Sequence, residues 1–157
     1  RQRQMCIRDR YIFGTRIGET YSLIPDLETG TASSVCFPKA KPMYIKYPIA
    51  LTAELARKWE LDNIQREYSF DLNSYDPTRT KYLGNQWLRY LTPRAKELGI
   101  GFLQLTDIRH NWGVRSIHAG LDARVASKSL GHSINTHYEI YNSTYESLAS
   151  FSIKLYK

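Results

Sequence analysis

Acidic residues are under-represented in this chain of 157 residues: 15 Asp and Glu face 22 Lys and Arg, leaving a formal charge of +7. That imbalance favours a polyanionic partner such as nucleic acid. Cysteine is nearly missing. Cys6 and Cys36 give neither a disulfide framework nor a metal-binding spacing, which points to a reducing compartment. No apolar run approaches the length needed to cross a bilayer, so no membrane partner is expected. The opening decamer RQRQMCIRDR is charged and has no apolar segment, so no signal peptide is expected. Repeats and low-complexity tracts are missing too. What is present suits a globular domain: 42% hydrophobic and 24% charged residues, in a chain long enough to bury one real core.

The decamer fits nothing that follows it and resembles translated adaptor sequence. Residues 1–10 are therefore expected to be a non-native leader, and residues 11–157 the folded unit. From Tyr11 to Leu23 the pattern reads as a loop or helix end through Gly14, then a short helix from about Ile17. Pro25 and Gly30 bracket a connection. Ser33–Phe37 and Tyr44–Ile49 read as two β-strands joined by the hairpin loop PKAKPM. A helix is predicted over Thr52–Asn63, with Leu55, Ala56 and Trp59 on one face. Residues 66–80 are polar and turn-rich, a flexible connection. The next helix is predicted from about Lys81 to Leu98, interrupted near Pro93 and facing Leu83, Trp87, Leu88 and Leu91 inward. Gly99 and Gly101 end it. Three further helices follow at Asp107–Ala119, Asp122–Leu130 and Asn135 to about Asn142. The tail, Ser143–Lys157, holds Leu148, Phe151, Ile153 and Leu155 in an amphipathic pattern.

Three residues in the last third suggest chemistry. Arg109 and His132 fall at the ends of predicted helices, and Tyr141 follows His132 by nine residues. An arginine fork matches the non-bridging oxygens of a phosphodiester and stays charged at any working pH. Histidine can donate to the same oxygens. A tyrosine phenol, with a reference pKa of about 10, becomes a nucleophile where cations stabilise the phenolate. Singly these residues read as a surface arginine, a helix C-cap and a core tyrosine. Their joint spacing points elsewhere.

The spacing resembles the tyrosine recombinase (phage integrase) family. That family's His-x-x-Arg box, usually HDLRH, stands here as Thr106-Asp107-Ile108-Arg109-His110. Its Leu-Gly-His-Ser box is intact as Leu130-Gly131-His132-Ser133, with Tyr141 in the nucleophile position. The first arginine of the family, in a Gly-x-Arg-x-x-Glu setting, matches Arg16 in Gly14-Thr15-Arg16-Ile17-Gly18-Glu19. The hairpin lysine of the family matches Lys39, or Lys41, in the PKAKPM loop; Lys39 is preferred because it follows the first strand directly. One position departs: Thr106 stands where the family usually has histidine, and a threonine hydroxyl is a poor base. His110 reads as a packing residue. His137 and Tyr138 read as DNA-facing or surface positions, and Tyr138 is the rival nucleophile.

The resemblance implies an α+β fold, mainly α-helical, with a small antiparallel β-sheet at 31–49: the catalytic domain of the DNA breaking-rejoining enzymes, without an N-terminal core-binding domain. It implies a site-specific recombinase or integrase of a mobile element acting on double-stranded DNA. Tyr141 would form a 3′-phosphotyrosyl link while Arg16, Arg109 and His132 stabilise the phosphorane and Lys39 or Lys41 protonates the leaving oxygen. No metal and no nucleotide cofactor is implied, because the arginines supply the positive charge and rejoining conserves the bond energy. DNA contacts are expected from the same cations, with steep salt dependence. A homotetramer on DNA is implied through the C-terminal segment, Phe151, Ile153 and Leu155 included. The setting implied is bacterial or phage-encoded, cytoplasmic and nucleoid-associated. Two alternatives share the fold: a catalytically impaired DNA-binding relative, signalled by Thr106, and a type IB topoisomerase-like relaxase.

Overall fold

The computed structural model describes residues 2–36, 42–61, 77–101 and 103–155. Among these residues, seven helices and three strands occur in the order α1 (Gln2–Phe13), α2 (Ile17–Thr20), β1 (Ile24–Asp26), β2 (Thr31–Cys36), β3 (Tyr44–Lys46), α3 (Ala53–Lys58), α4 (Pro77–Glu97), α5 (Leu105–His118), α6 (Ala123–Leu130) and α7 (Ile134–Leu155). The architecture is α+β and mainly helical, as expected. The sheet is antiparallel throughout, in the order β1-β2-β3, with Ile24 opposite Ser33 and Val35 opposite Ile45.

Strand β1 is absent from the sequence reading, which took Pro25 and Gly30 as mere connection. It has three residues and lies at the sheet edge, where proline's missing N–H is not needed by a ladder. The turn out of β1 is made by Asp26, whose Oδ1 accepts from the N–H groups of Glu28 (3.1 Å) and Thr29 (3.2 Å). Of the expected hairpin, residues 37–41 lie outside the described residues, and with them Phe37, Lys39 and Lys41. Most of the expected connection 66–80 does so as well.

Three helices differ from expectation at their ends or middle, and α4 also begins early, at Pro77 inside the expected connection 66–80. Helix α3 stops at Lys58 and not at Asn63: the Leu61 N–H reaches back to the Ala56 carbonyl (3.2 Å) and the Glu60 N–H to Arg57 (2.9 Å). This is a Schellman closure with a left-handed residue (Glu60, φ 51°) in the place glycine usually takes. Helix α4 runs through Pro93 without ending there. Helix α7 continues to Leu155, absorbing the segment read as a separate tail. Neither glycine nor proline occurs between Ile134 and Leu155, so no residue type halts the helix. The side chains of Leu83, Leu148, Phe151, Ile153 and Leu155 lie outside the described residues.

Helix α1 begins inside the decamer expected to be a leader. Asp9 and Arg10 are buried, and an Arg10 Nη2 donates to the Leu105 carbonyl (2.6 Å) while its Nε and Nη1 have no hydrogen-bond partner. Burial lowers the Arg10 guanidinium to about 10.

Two apolar clusters hold the fold. Ile12, Phe13, Leu23, Leu27, Ala32, Ala56 and Leu61 pack α1, the sheet and α3 together. Trp112, Ile117, Ala126, Leu130 and Tyr141 pack α5, α6 and α7. Trp112 joins the two, because its indole N–H donates to the Ile12 carbonyl (2.8 Å). The joint requires Gly14: it ends α1 with φ 64°, and a Cβ there would lie 2.8 Å from Trp112 Cγ. The candidate active site is built along this seam.

Candidate active site

Just after Gly14 the chain turns into α2, and Glu19 folds back to accept from the Arg16 N–H (2.7 Å) and from Arg16 Nη1 (2.9 Å). Glu19 is also 2.6 Å from Lys46 Nζ on β3 and 3.8 Å from Arg109 Nη1 on α5. Its side chain is 2% exposed. Burial alone pushes the carboxyl up, but the charges of Lys46, Arg109 and Arg16 outweigh it and hold the group at about 2. One carboxylate thus gathers three cations from three elements. The pair with Lys46 is lopsided: burial, helped by the charge of Arg109, lowers the Lys46 ammonium although the shared carboxylate raises it. Glu19 gains from the cluster, and Lys46 is held there at a cost.

The two arginines extend from Glu19 toward the end of α6. Arg109 donates to the Gly14 carbonyl (2.8 Å) and, through Nη2, to the Leu130 carbonyl. Arg16 Nη2 lies 3.5 Å from the Gly131 carbonyl, and its side chain is 45% exposed against 12% for Arg109. Helix α6 is capped by Asp122 at its start and by left-handed Gly131 (φ 73°) at its end, which turns the chain so that His132 follows immediately. His132 Nδ1 is 3.1 Å from the Ser133 carbonyl, an acceptor, so this nitrogen carries the proton. Its Nε2 is buried and has no partner. Burial, then the nearby Arg109, Arg16 and Lys46, lower its pKa, with the Ser133 carbonyl opposing.

Helix α7 brings His137, Tyr141 and Tyr145 onto one face by their four-residue spacing. His137 is fully buried, stacks on His132 (5.3 Å between centroids) and bonds the Tyr145 hydroxyl through Nε2 (3.1 Å). Burial, then His132, pushes it down to about 4. It is not the surface position expected; Tyr138, 45% exposed with its ring 5.3 Å from that of Tyr145, is one. Tyr141 is 4% exposed, and its ring rests on Gly113 of α5 so closely that a Cβ there would be 2.3 Å from the phenol oxygen. Burial raises its pKa while Arg109 lowers it. The hydroxyl meets His110 Nδ1 at 3.3 Å.

The structure therefore places Arg16, Arg109, His132 and Tyr141 along one seam. Lys39 and Lys41 lie outside the described residues. Thr106 is exposed, one turn before Arg109, and its hydroxyl bonds Gln104 (3.3 Å). Among the described residues, no group of three His, Cys, Asp or Glu is placed to hold a metal, and no helix is long and apolar enough to cross a membrane.

Sequence reasoning left Glu19 without a role, missed Lys46 and Gly113, and took His110 for packing. Lys46 carried no signal: by period-two alternation it shares a face of β3 with Tyr44 and opposes Ile45, and only the structure shows that this face turns inward, leaving Lys46 4% and Ile45 60% exposed. A lysine so buried needs a counter-charge, which Glu19 supplies.

No family model matches the chain, and no curated protein matches it. Solved structures of site-specific recombinases share its fold. XerA recombinase aligns with a TM-score of 0.55 and 20% identity over 96% of this chain and 62% of that one. XerH site-specific recombinase in its post-cleavage complex with palindromic difH substrate aligns with a TM-score of 0.54 and 14% identity, over 99% of this chain and 46% of that one. Its pre-cleavage complex gives 0.50 and 16%, over 90% and 42%. The fold is that of these recombinases, and the chain spans between 42% and 62% of their length.

Proposed function

We propose that the chain is the catalytic part of a tyrosine-type site-specific DNA recombinase, with residues 11–157 as its unit. The observation that carries this is the seam itself. Arg16 and Arg109 share Glu19 and reach the Leu130–Gly131 carbonyls, directly before His132 with its unpartnered Nε2. The fold shared with DNA-bound recombinases supports it.

In this reading a scissile phosphate sits between the Arg16 fork and His132. The anion favours the imidazolium, so that Nε2 donates as well as Nδ1. The Tyr141 oxygen attacks phosphorus, the bond to the 5′ oxygen breaks, and a 3′-phosphotyrosyl link forms. Lys39, or Lys41, gives its proton to the departing 5′ oxygen. Attack by another 5′-hydroxyl reverses the steps and completes strand exchange. Arg16, Arg109 and His132 act on the charge of the transition state, and the loss of one such donor costs about 10²–10³ in rate. Double-stranded DNA is the partner, and the C-terminal segment, residues 148–157, is the part through which a homotetramer would assemble.

The exposed Thr106, bonded to Gln104 and to no other residue of the seam, favours one second reading: a relative that binds DNA but cleaves it poorly. One assay separates the two. Nicked duplexes drawn from a randomised pool, with a 5′-bridging phosphorothiolate at the nick-proximal bond, trap any covalent product. The wild-type chain should accumulate a protein–DNA adduct and Tyr141→Phe none. Duplex binding without an adduct would establish the second reading instead, and an adduct formed by Tyr141→Phe would refute the assignment of the nucleophile.

A further inference from the structure

We propose that His110 is the proton acceptor of the Tyr141 hydroxyl, an inference that rests on Tyr141 being the nucleophile. Residues 106 and 110 are one turn apart on the same face of α5. Thr106, exposed and bonded to Gln104, has no basic nitrogen to offer. His110 does, and its Nδ1 is 3.3 Å from the phenol oxygen. This is long for a hydrogen bond, but within what tightens when substrate binds.

The other candidates are occupied or misdirected. The groups facing Tyr141 are His110 and Arg109 from α5 and His137 from α7. Arg109 remains charged and accepts nothing. His137 spends Nε2 on Tyr145, its unpartnered Nδ1 makes no bond to Tyr141, and burial pushes it down to about 4, which makes it a poor base. His132 binds the Ser133 carbonyl through Nδ1, and its Nε2 makes no bond to Tyr141. Among the described residues His110 alone lies within hydrogen-bonding distance of the phenol oxygen. Burial raises the Tyr141 pKa, so the phenol is protonated before reaction and its proton must leave as phosphorus is attacked. His110 Nδ1 takes that proton, becoming imidazolium, while the tyrosine oxygen bonds phosphorus. In rejoining, the same proton returns to the released tyrosine. Being exposed, His110 can be exchanged without disturbing a core, which a packing residue cannot.

Two measurements on the full chain test this. In the adduct assay, His110→Ala should slow covalent trapping by about 10²–10⁴-fold with duplex binding unchanged. Added imidazole should restore part of the rate. His110→Asn, which can still bond the phenol but cannot take its proton, should be as slow as His110→Ala. A wild-type rate in His110→Ala, or a loss that imidazole does not lift, would overturn the proposal. The second measurement needs no DNA: the His110 Nδ1 nitrogen resonance should be that of an unprotonated acceptor and should move in Tyr141→Phe. An unmoved resonance would overturn it too. Should the wild type form no adduct at all, the strand-transfer reading fails, while the resonance still decides the His110–Tyr141 contact.

Discussion

Gly113→Ala is expected to reduce covalent adduct formation at least ~100-fold while the protein stays folded, since misplacing a reacting group by an ångström costs about that much. The added methyl would sit 2.3 Å from both the phenol oxygen and Cζ of Tyr141 and 2.7 Å from Cε1. Something has to move. The obstructed atoms are the far end of a side chain, so the tyrosine swings away from α5 more easily than the helices separate. The nucleophile then leaves His110 and the field of Arg109 together. Stability changes in two opposing ways: the ring loses buried contact, and alanine favours the helix over glycine by about 1 kcal/mol. Thermal unfolding should shift by only a few degrees. A fully active Gly113→Ala protein would show that the tyrosine does not react from the position seen here.

Glu19→Gln is expected to lower folding stability at neutral pH by about 3–5 kcal/mol, the usual cost of leaving a buried charge without its partner. Lys46 is the charge left behind, 4% exposed and already disfavoured by burial. Arg16 and Arg109 lose their shared anchor too, so adduct formation should fall with it. The pH dependence has a definite sign. The Glu19 carboxyl is held at about 2, below its ordinary value of 4.5, so its stabilising effect is complete above that ordinary value and is lost as pH falls toward 2. Wild-type stability in urea should therefore drop across that window, and the Glu19→Gln protein should lack this component. Adding Lys46→Met, which removes the stranded ammonium, should recover a large part of the lost stability. A single Glu19→Gln variant as stable as wild type would contradict the arrangement.

These two predictions fall on residues that sequence patterns expose poorly. That Arg16, Arg109, His132 and Tyr141 come together along one seam was legible because they stand in short motifs at fixed distances from one another. Helices α5 and α6 were legible because Asp122, Gly120 and Gly131 mark their ends chemically. Strand β1 was not, since three residues containing a proline show no alternation. The full length of α7 was missed because a helix without stop signals looks, residue by residue, like a helix followed by a tail. Gly113 lies mid-helix, where glycine reads as a weakness of α5, and only the approach of Tyr141 from a helix 28 positions later explains it. His110 poses the same difficulty. Its neighbour in space is Tyr141, and no local pattern records a contact of that range.

The most direct test of the strand-transfer reading is to find which residue carries the nucleotide. The trapped wild-type adduct would be digested with nuclease and protease and the modified peptide sequenced by mass spectrometry. The expected result is a single 3′-linked nucleotide on Tyr141. Its side chain is buried against α5, whereas Tyr138 is 45% exposed and rests its ring on Tyr145. A nucleotide on Tyr138, on any other residue, or on none would contradict the account.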